Sequence, residues 1–242
     1  ITVGELMTHT SGITATGTET DRGSDSSEEE AINWAINNAN STDPGTSGTY
    51  SYNNTNYILL TGIIRKVSGQ SYEENFNSRI INKLGLTNTY LYQNIPSGKT
   101  DPISYTWDNG NNYQDPQYVK RSLASQLPGT GNMFTTPMDY YKIQVGLTNG
   151  TILSKSDFHY LTHLDSKVND YSGGVHIENN DTIKSAYGNL TGTHFGMWFE
   201  MTTDNRNGLI MFLNQTSGDE DAQKAMGLQI LNHIRANTFT DD

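Results

Sequence analysis

The chain has 242 residues, no cysteine, 17% charged residues and a formal net charge of −11. That balance argues against nucleic acid as a partner, because phosphate binding needs clustered Lys and Arg. The missing cysteines remove disulfides, thiol nucleophiles and thiolate metal sites together, and no run approaches the roughly 20 apolar residues of a membrane span. The polarity lies in uncharged groups, with 26 asparagines and many Ser, Thr and Tyr. A surface of that kind, poor in Lys, suits an extracellular protein.

Residues 10–27 are rich in Thr, Gly and Ser and read as a loop. Ser26 or Ser27 caps a helix whose first turn is Glu28-Glu29-Glu30, the favourable charge for a helix N-terminus. Ile32, Ala35, Ile36 and Ala39 give that helix an apolar stripe. After a loop at 40–49, Tyr57 to Val67 reads as a largely buried helix stopped by Ser68-Gly69. Ser71 to Leu84 reads as an amphipathic helix with Phe76, Ile80, Ile81 and Leu84 on one side. From Thr87 to Thr136 periodicity is low, and the segment reads as a long surface excursion of the sort that borders binding sites.

Thr136-Pro137 opens a helix through Val145, and Ser156 to Leu164 suggests another. Strand-like runs follow at 173–177, 182–187, 193–201 and 209–214, with Asp204 to Gly208 as the turn between the last two. A final helix runs from Glu220 to Ala236. Helices first, then antiparallel strands closed by a helix, is α+β order. His159 and His163 have the spacing of a zinc-binding helix, but the Glu that would serve as general base is absent. They read as ordinary helical histidines, and no metal is expected.

Two segments carry sharper information. One is Leu6-Met7-Thr8-His9-Thr10-Ser11-Gly12-Ile13. The other begins Tyr50-Ser51-Tyr52-Asn53-Asn54 and runs through Ile64, Val67-Ser68-Gly69-Gln70-Ser71-Tyr72 and Leu84-Gly85-Leu86-Thr87-Asn88-Thr89. With Pro128-Gly129 to Asp139, they resemble, in order along essentially the whole chain, the class C β-lactamase and serine D-Ala-D-Ala carboxypeptidase family. These are the penicillin-binding-protein-like serine hydrolases. A Tyr-x-Asn unit suits acyl transfer, since one loop presents a phenol for proton transfer and an amide to hold the substrate. The resemblance implies that Tyr52 is the catalytic tyrosine and Asn54 the substrate-orienting asparagine. Ser11 falls in what is a structural turn in that family, although His9-Thr10-Ser11-Gly12 invites a nucleophile reading.

Two departures from the family pattern stand out. Its nucleophile is the Ser of a Ser-x-x-Lys turn, and no Lys here has Ser three residues before it. The expectation is a chain that begins after that motif, without its nucleophile and without the family's first helix and strands. The family's Lys-Thr-Gly strand motif falls on Ala186-Tyr187-Gly188, with no basic residue. Lys184, two positions earlier on the same strand face, is expected as a partial substitute. The backbone N–H of Asn189, beside Gly188, is expected as an oxyanion donor. Besides β-lactams and D-Ala-D-Ala peptides, an ester or amide without a substrate carboxylate then becomes a candidate.

The resemblance further implies a helical lobe over residues 1–165. An antiparallel sheet flanked by helices would follow over 166–242. The last helix would lack a neighbour, so that its apolar face recruits a separate N-terminal piece or a swapped dimer. The implied protein is an extracellular or cell-surface bacterial serine hydrolase that uses no cofactor and acts on a small-molecule or peptidoglycan-peptide substrate. Its rival is a catalytically silent cell-wall-binding or sensor protein on the same fold.

Overall fold

The computed structural model describes residues 1–41, 49–108, 110–164, 170–190 and 192–237. Contacts divide the chain into two compact units, one of residues 1–101 with 119–176 and the other of 102–118 with 177–242. The expected break at 165 lies outside the described residues, as does most of the expected loop at 40–49.

Unit one is mainly helical. Helix α1 (Val3–Met7) starts with a capping box, in which Thr2 and Glu5 satisfy each other's backbone N–H groups. Strand β1 (Ile13–Thr14) follows, then α2 (Glu28–Asn38), where Ser27 and Glu30 repeat the device. Strand β2 (Asn40–Ser41) pairs with β1. Helix α3 (Thr55–Ser68) ends on Gly69 at φ 70°, the left-handed cap that glycine adopts without strain.

Ile32 and Ala35 of α2 meet Ile58 of α3 in a small core flanked by Trp34 and Leu59. At Gly62 a Cβ would stand 2.9 Å from Ile32, so glycine is what lets these helices approach. Helices α4 (Tyr72–Phe76) and α5 (Asn82–Leu84) form one run joined by a π turn at Asn77–Ile81. The wide turn interrupts the regular stripe expected for a single helix.

Strand β3 (Tyr90–Leu91) comes next. The supposed surface excursion then contains a hairpin of β4 (Ile103–Asp108) and β5 (Asn111–Tyr118), which belongs to unit two. Returning to unit one, α6 (Arg121–Ser125) precedes β6 (Met133–Phe134), which pairs with β3. Helix α7 (Pro137–Thr148) is capped by Thr136, and its buried Asp139 accepts from Asn88 N–H and the Thr89 hydroxyl. Helix α8 (Lys155–Leu161) leads to β7 (Tyr171–Ser172), which pairs with the start of β8 (Val175–Glu178).

Unit two is a sheet with one helix. Strands β9 (Ile183–Asn189), β10 (Gly196–Thr202) and β11 (Gly208–Leu213) run as an antiparallel meander, with Asn189 opposite Gly196 and Gly196 opposite Leu213. Helix α9 (Glu220–Ala236), capped by Asp219, covers it. Trp198, Met211 and Leu231 form the core, with Leu209, Leu213 and Leu228 against them. Gly227 lies against the Trp198 ring where a Cβ would collide with it. Met226, Ile230 and Ile234, one turn apart along α9, stay exposed. The architecture is α+β, as the element order predicts.

Candidate active site

The segment entering α3 is gripped by the loop before it. Asn53 Nδ2 donates to the Ala15 carbonyl at 3.1 Å, Asn54 Nδ2 donates to Glu19 Oε1, and the Thr18 and Thr55 hydroxyls lie 2.9 Å apart. An Asn at a helix N-cap ordinarily turns its side chain back onto the first turn. Here Asn53 takes that work, its Oδ1 accepting from Thr55 N–H at 2.9 Å, and Asn54 makes no side-chain cap bond. Asn54 is thereby released for other partners. Its Oδ1 accepts from the Tyr52 hydroxyl at 3.0 Å, which produces a hydrogen-bonded line Tyr52–Asn54–Glu19. Tyr52 is 57% exposed, and Asn54 and Glu19 are half-buried. A phenol, an amide and a carboxylate thus stand in series at an accessible surface.

Beneath Tyr52 the ground is polar and buried. His9 is 1% exposed and takes φ 54°, in the left-handed region where His is among the few side chains that recur. Its Nδ1 accepts from Asn53 N–H at 3.2 Å and lies 3.0 Å from Asn56 Nδ2. A backbone N–H can only donate, so Nδ1 carries no proton and the proton sits on Nε2. Burial pushes the imidazole down to about 4, and it is neutral at ordinary pH. Rings of Tyr50, Tyr52, Tyr57 and Tyr171 surround it at centroid distances of 4.3 to 6.1 Å. Tyr57 donates to the Met7 carbonyl, and burial pushes its phenol up to about 12. Tyr171 is pushed up further, again by burial, so both stay protonated. Tyr52 and Tyr50 are the exposed phenols next to this half-buried pair, Tyr52 the more so.

Ser11 belongs to the same network and is also buried. Its Oγ accepts from Ile13 N–H and donates to Asn56 Oδ1 at 2.6 Å. That leaves Asn56 Nδ2 to face His9. The Ser11 hydroxyl holds the turn together, which agrees with its expected structural place.

In unit two, Gly188 and Asn189 close strand β9, opposite Met197 and Gly196. Asn189 donates to the Gly218 carbonyl and accepts from Gln223 at 2.7 Å, which fixes this end of the strand to the start of α9. Lys184 requires a correction. It shares a strand face with Gly188 but lies four residues away, about 13 Å along the strand. Its side chain is fully buried, and Nζ donates to Asn205 Oδ1 at 2.8 Å in the turn between β10 and β11. Burial pushes its amine down to about 8. Strand alternation puts two residues on one face, not at one end.

Tyr52 and Asn54, two residues apart in the motif, are within hydrogen-bond reach of each other. Sequence reasoning did not single out Glu19, the partner of Asn54, which lies in the Thr/Gly/Ser-rich loop and carries no motif. It also took the His9 segment as a turn alone. Just past α8, His163 donates from Nδ1 to the His159 carbonyl at 2.7 Å, and the two rings lie 4.1 Å apart, tilted by 34°.

This fold and this Tyr-x-Asn loop define the class. The chain matches the Beta-lactamase family over residues 1–231 and belongs to it. It is 25% identical over 181 residues to the teichoic acid D-alanine hydrolase of Staphylococcus aureus, covering 74% of this chain and 43% of that protein. The chain therefore spans less than half the length of this relative. Among solved structures, FmtA from Staphylococcus aureus superposes with a TM-score of 0.73 at 22% identity, over 96% of this chain and 61% of that one. The D-amino acid amidase of Ochrobactrum anthropi, complexed with D-phenylalanine, gives a TM-score of 0.73 at 18% identity, over 98% and 72%. An octameric penicillin-binding protein homologue from Pyrococcus abyssi gives 0.71 at 22%, over 97% and 55%.

Proposed function

We propose that the protein is a cell-surface serine hydrolase that removes D-aminoacyl groups, such as D-alanyl esters or amides, from a carrier or small molecule. The observation that carries this reading is the line Tyr52–Asn54–Glu19. The serine of the family's Ser-x-x-Lys motif, which is not among these 242 residues, attacks the acyl carbon. A Ser–acyl bond forms, and the bond to the leaving oxygen or nitrogen breaks. Tyr52 takes the serine proton and passes it to the leaving group, and water then releases the D-amino acid. Asn54 holds the acyl carbonyl; for the backbone N–H of Asn189 we keep the oxyanion role that the family resemblance implies.

The substrate preference follows from charge. The position of the family's basic residue holds Ala186, and Lys184 is buried at the other end of its strand, so β9 offers a substrate carboxylate no exposed cation. The Glu19 carboxylate beside Asn54 instead offers a counter-charge to a free ammonium. A D-alanyl ester carries that ammonium, while a β-lactam presents a carboxylate. The S. aureus relative is named for hydrolysing D-alanine from teichoic acid, which fits an extracellular place.

Hydrolysis of a D-alanyl ester and its N-acetylated counterpart by the native protein tests the reading. A preference for the free amine, abolished by Glu19→Gln, is the expected result. Equal turnover of both esters by the native protein, or faster turnover of a β-lactam, contradicts it.

A further inference from the structure

We propose that His9 is a positioning residue that sets the place of Tyr52, acting through the main chain on both sides of it and through its own ring. The inference rests on the proton-transfer role given to Tyr52 above. The residue before Tyr52 is tied to His9, because Ser51 N–H donates to the His9 carbonyl at 2.8 Å. The residue after it is tied as well, because Asn53 N–H donates to His9 Nδ1 at 3.2 Å. Between these two ties the Tyr52 ring lies over the imidazole at a centroid distance of 4.3 Å, tilted by 39°. His9 therefore holds the Tyr50–Ser51 peptide through its carbonyl, and through its buried side chain it holds the Tyr52–Asn53 peptide and one face of the Tyr52 ring.

The rest of the local structure serves this arrangement. Ser11 donates to Asn56 Oδ1, which turns Asn56 Nδ2 toward Nδ1 and holds the imidazole with that nitrogen as acceptor. The His9 backbone is kept at φ 54°, a conformation that costs free energy for most side chains and that Asn and His tolerate best. A strained, buried, fully oriented imidazole exceeds what a turn alone requires. Of the four phenols around it, Tyr52, 43 residues further along the chain, is the most exposed and lies nearest to its ring.

The test compares His9→Ala, which removes the acceptor, with His9→Asn, whose side-chain oxygen can reach the place of Nδ1 and whose backbone tolerates the same φ. Both are made in the native protein, with 3-fluorotyrosine at position 52 and, as a control, at position 92. The expected result for His9→Ala is a fluorine resonance at 52 moved toward that of the free amino acid while that at 92 stays. Its kcat on the D-alanyl ester falls roughly 10- to 100-fold with KM little changed. His9→Asn restores the resonance and brings kcat back to within about threefold.

A folded His9→Ala protein with an unmoved resonance at 52 and unchanged kcat overturns the proposal. So does a folded His9→Asn protein that loses both as far as His9→Ala does. If His9→Ala does not fold, His9→Asn alone decides between these outcomes. If the native protein hydrolyses no ester, the functional reading fails separately, and the fluorine spectra still decide the placement.

Discussion

The Tyr52 loop of unit one and strand β9 of unit two hold their site groups by different means. Around Tyr52 the scaffold is made of polar side chains: His9, Thr10, Ser11, Thr55 and Asn56 are all at most 1% exposed and lie close along two short segments. Most of their hydrogen bonds run from side chain to backbone or from side chain to side chain. At Gly188 and Asn189 the scaffold is the ladder between β9 and β10, backed by Trp198, Met211 and Leu231. A side-chain network places a particular group but fails when one member changes. A backbone ladder tolerates side-chain change and fails only when its core fails.

That contrast orders the expected effects. Tyr52→Phe in unit one, measured by steady-state kinetics, is expected to lower kcat roughly 100- to 10,000-fold. Thermal melting should leave its stability unchanged, since the hydroxyl is exposed and bonded to half-buried Asn54. In unit two, Leu231→Ala removes a buried core side chain and is expected to cost about 2–5 kcal/mol in urea unfolding. Ile230→Ala, one residue away on the exposed face, should stay within about 0.5 kcal/mol. Similar costs at the two positions would mean that something covers the outer face of α9.

The pH response separates the units by pH window, with stability rising with pH in both. His9 has a lowered value near 4 in the folded protein and 6.5 when unfolded, so the unfolded chain binds the extra proton between those limits. Unit one is therefore expected to lose stability as pH falls from about 6.5 to 4, and His9→Asn should flatten that slope. Lys184 is lowered to about 8 from the ordinary 10.5, so its burial costs stability below pH 8 and is relieved as pH rises toward 10.5. Lys184→Met should remove that alkaline rise. The smallest effect belongs to Asn189→Ala. It is expected to cost about 1 kcal/mol for the hydrogen bonds to Gln223 and Gly218. Its kcat should fall far less than that of Tyr52→Phe, because the oxyanion role uses the main chain.

Much of the fold could be read from patterns that burial imposes. Helix α9 lies where its caps and apolar spacing put it, and β9 to β11 lie within a few residues of the alternating runs. The β4–β5 hairpin could not be read in this way. All eight residues of β5 are exposed and one is Pro116, so no buried face imposes a two-residue period. The site divides along the same line. Tyr52 and Asn54 sit in a compact motif, whereas Glu19 reaches Asn54 across 35 residues and His9 reaches Asn53 across 44. Such contacts exist only once the chain has folded. Lys184 shows the converse: strand parity correctly put it on the Gly188 face but said nothing of burial or of which end its amine reaches.

The central claim is that Tyr52 moves the proton in acyl transfer to a serine, and single-turnover acylation of the native protein by a D-alanyl ester tests it most directly. The account predicts a covalent D-alanyl adduct on a serine that forms at least about 100-fold more slowly in Tyr52→Phe, with melting temperature unchanged. Adduct formation at the native rate in a folded Tyr52→Phe protein would contradict it.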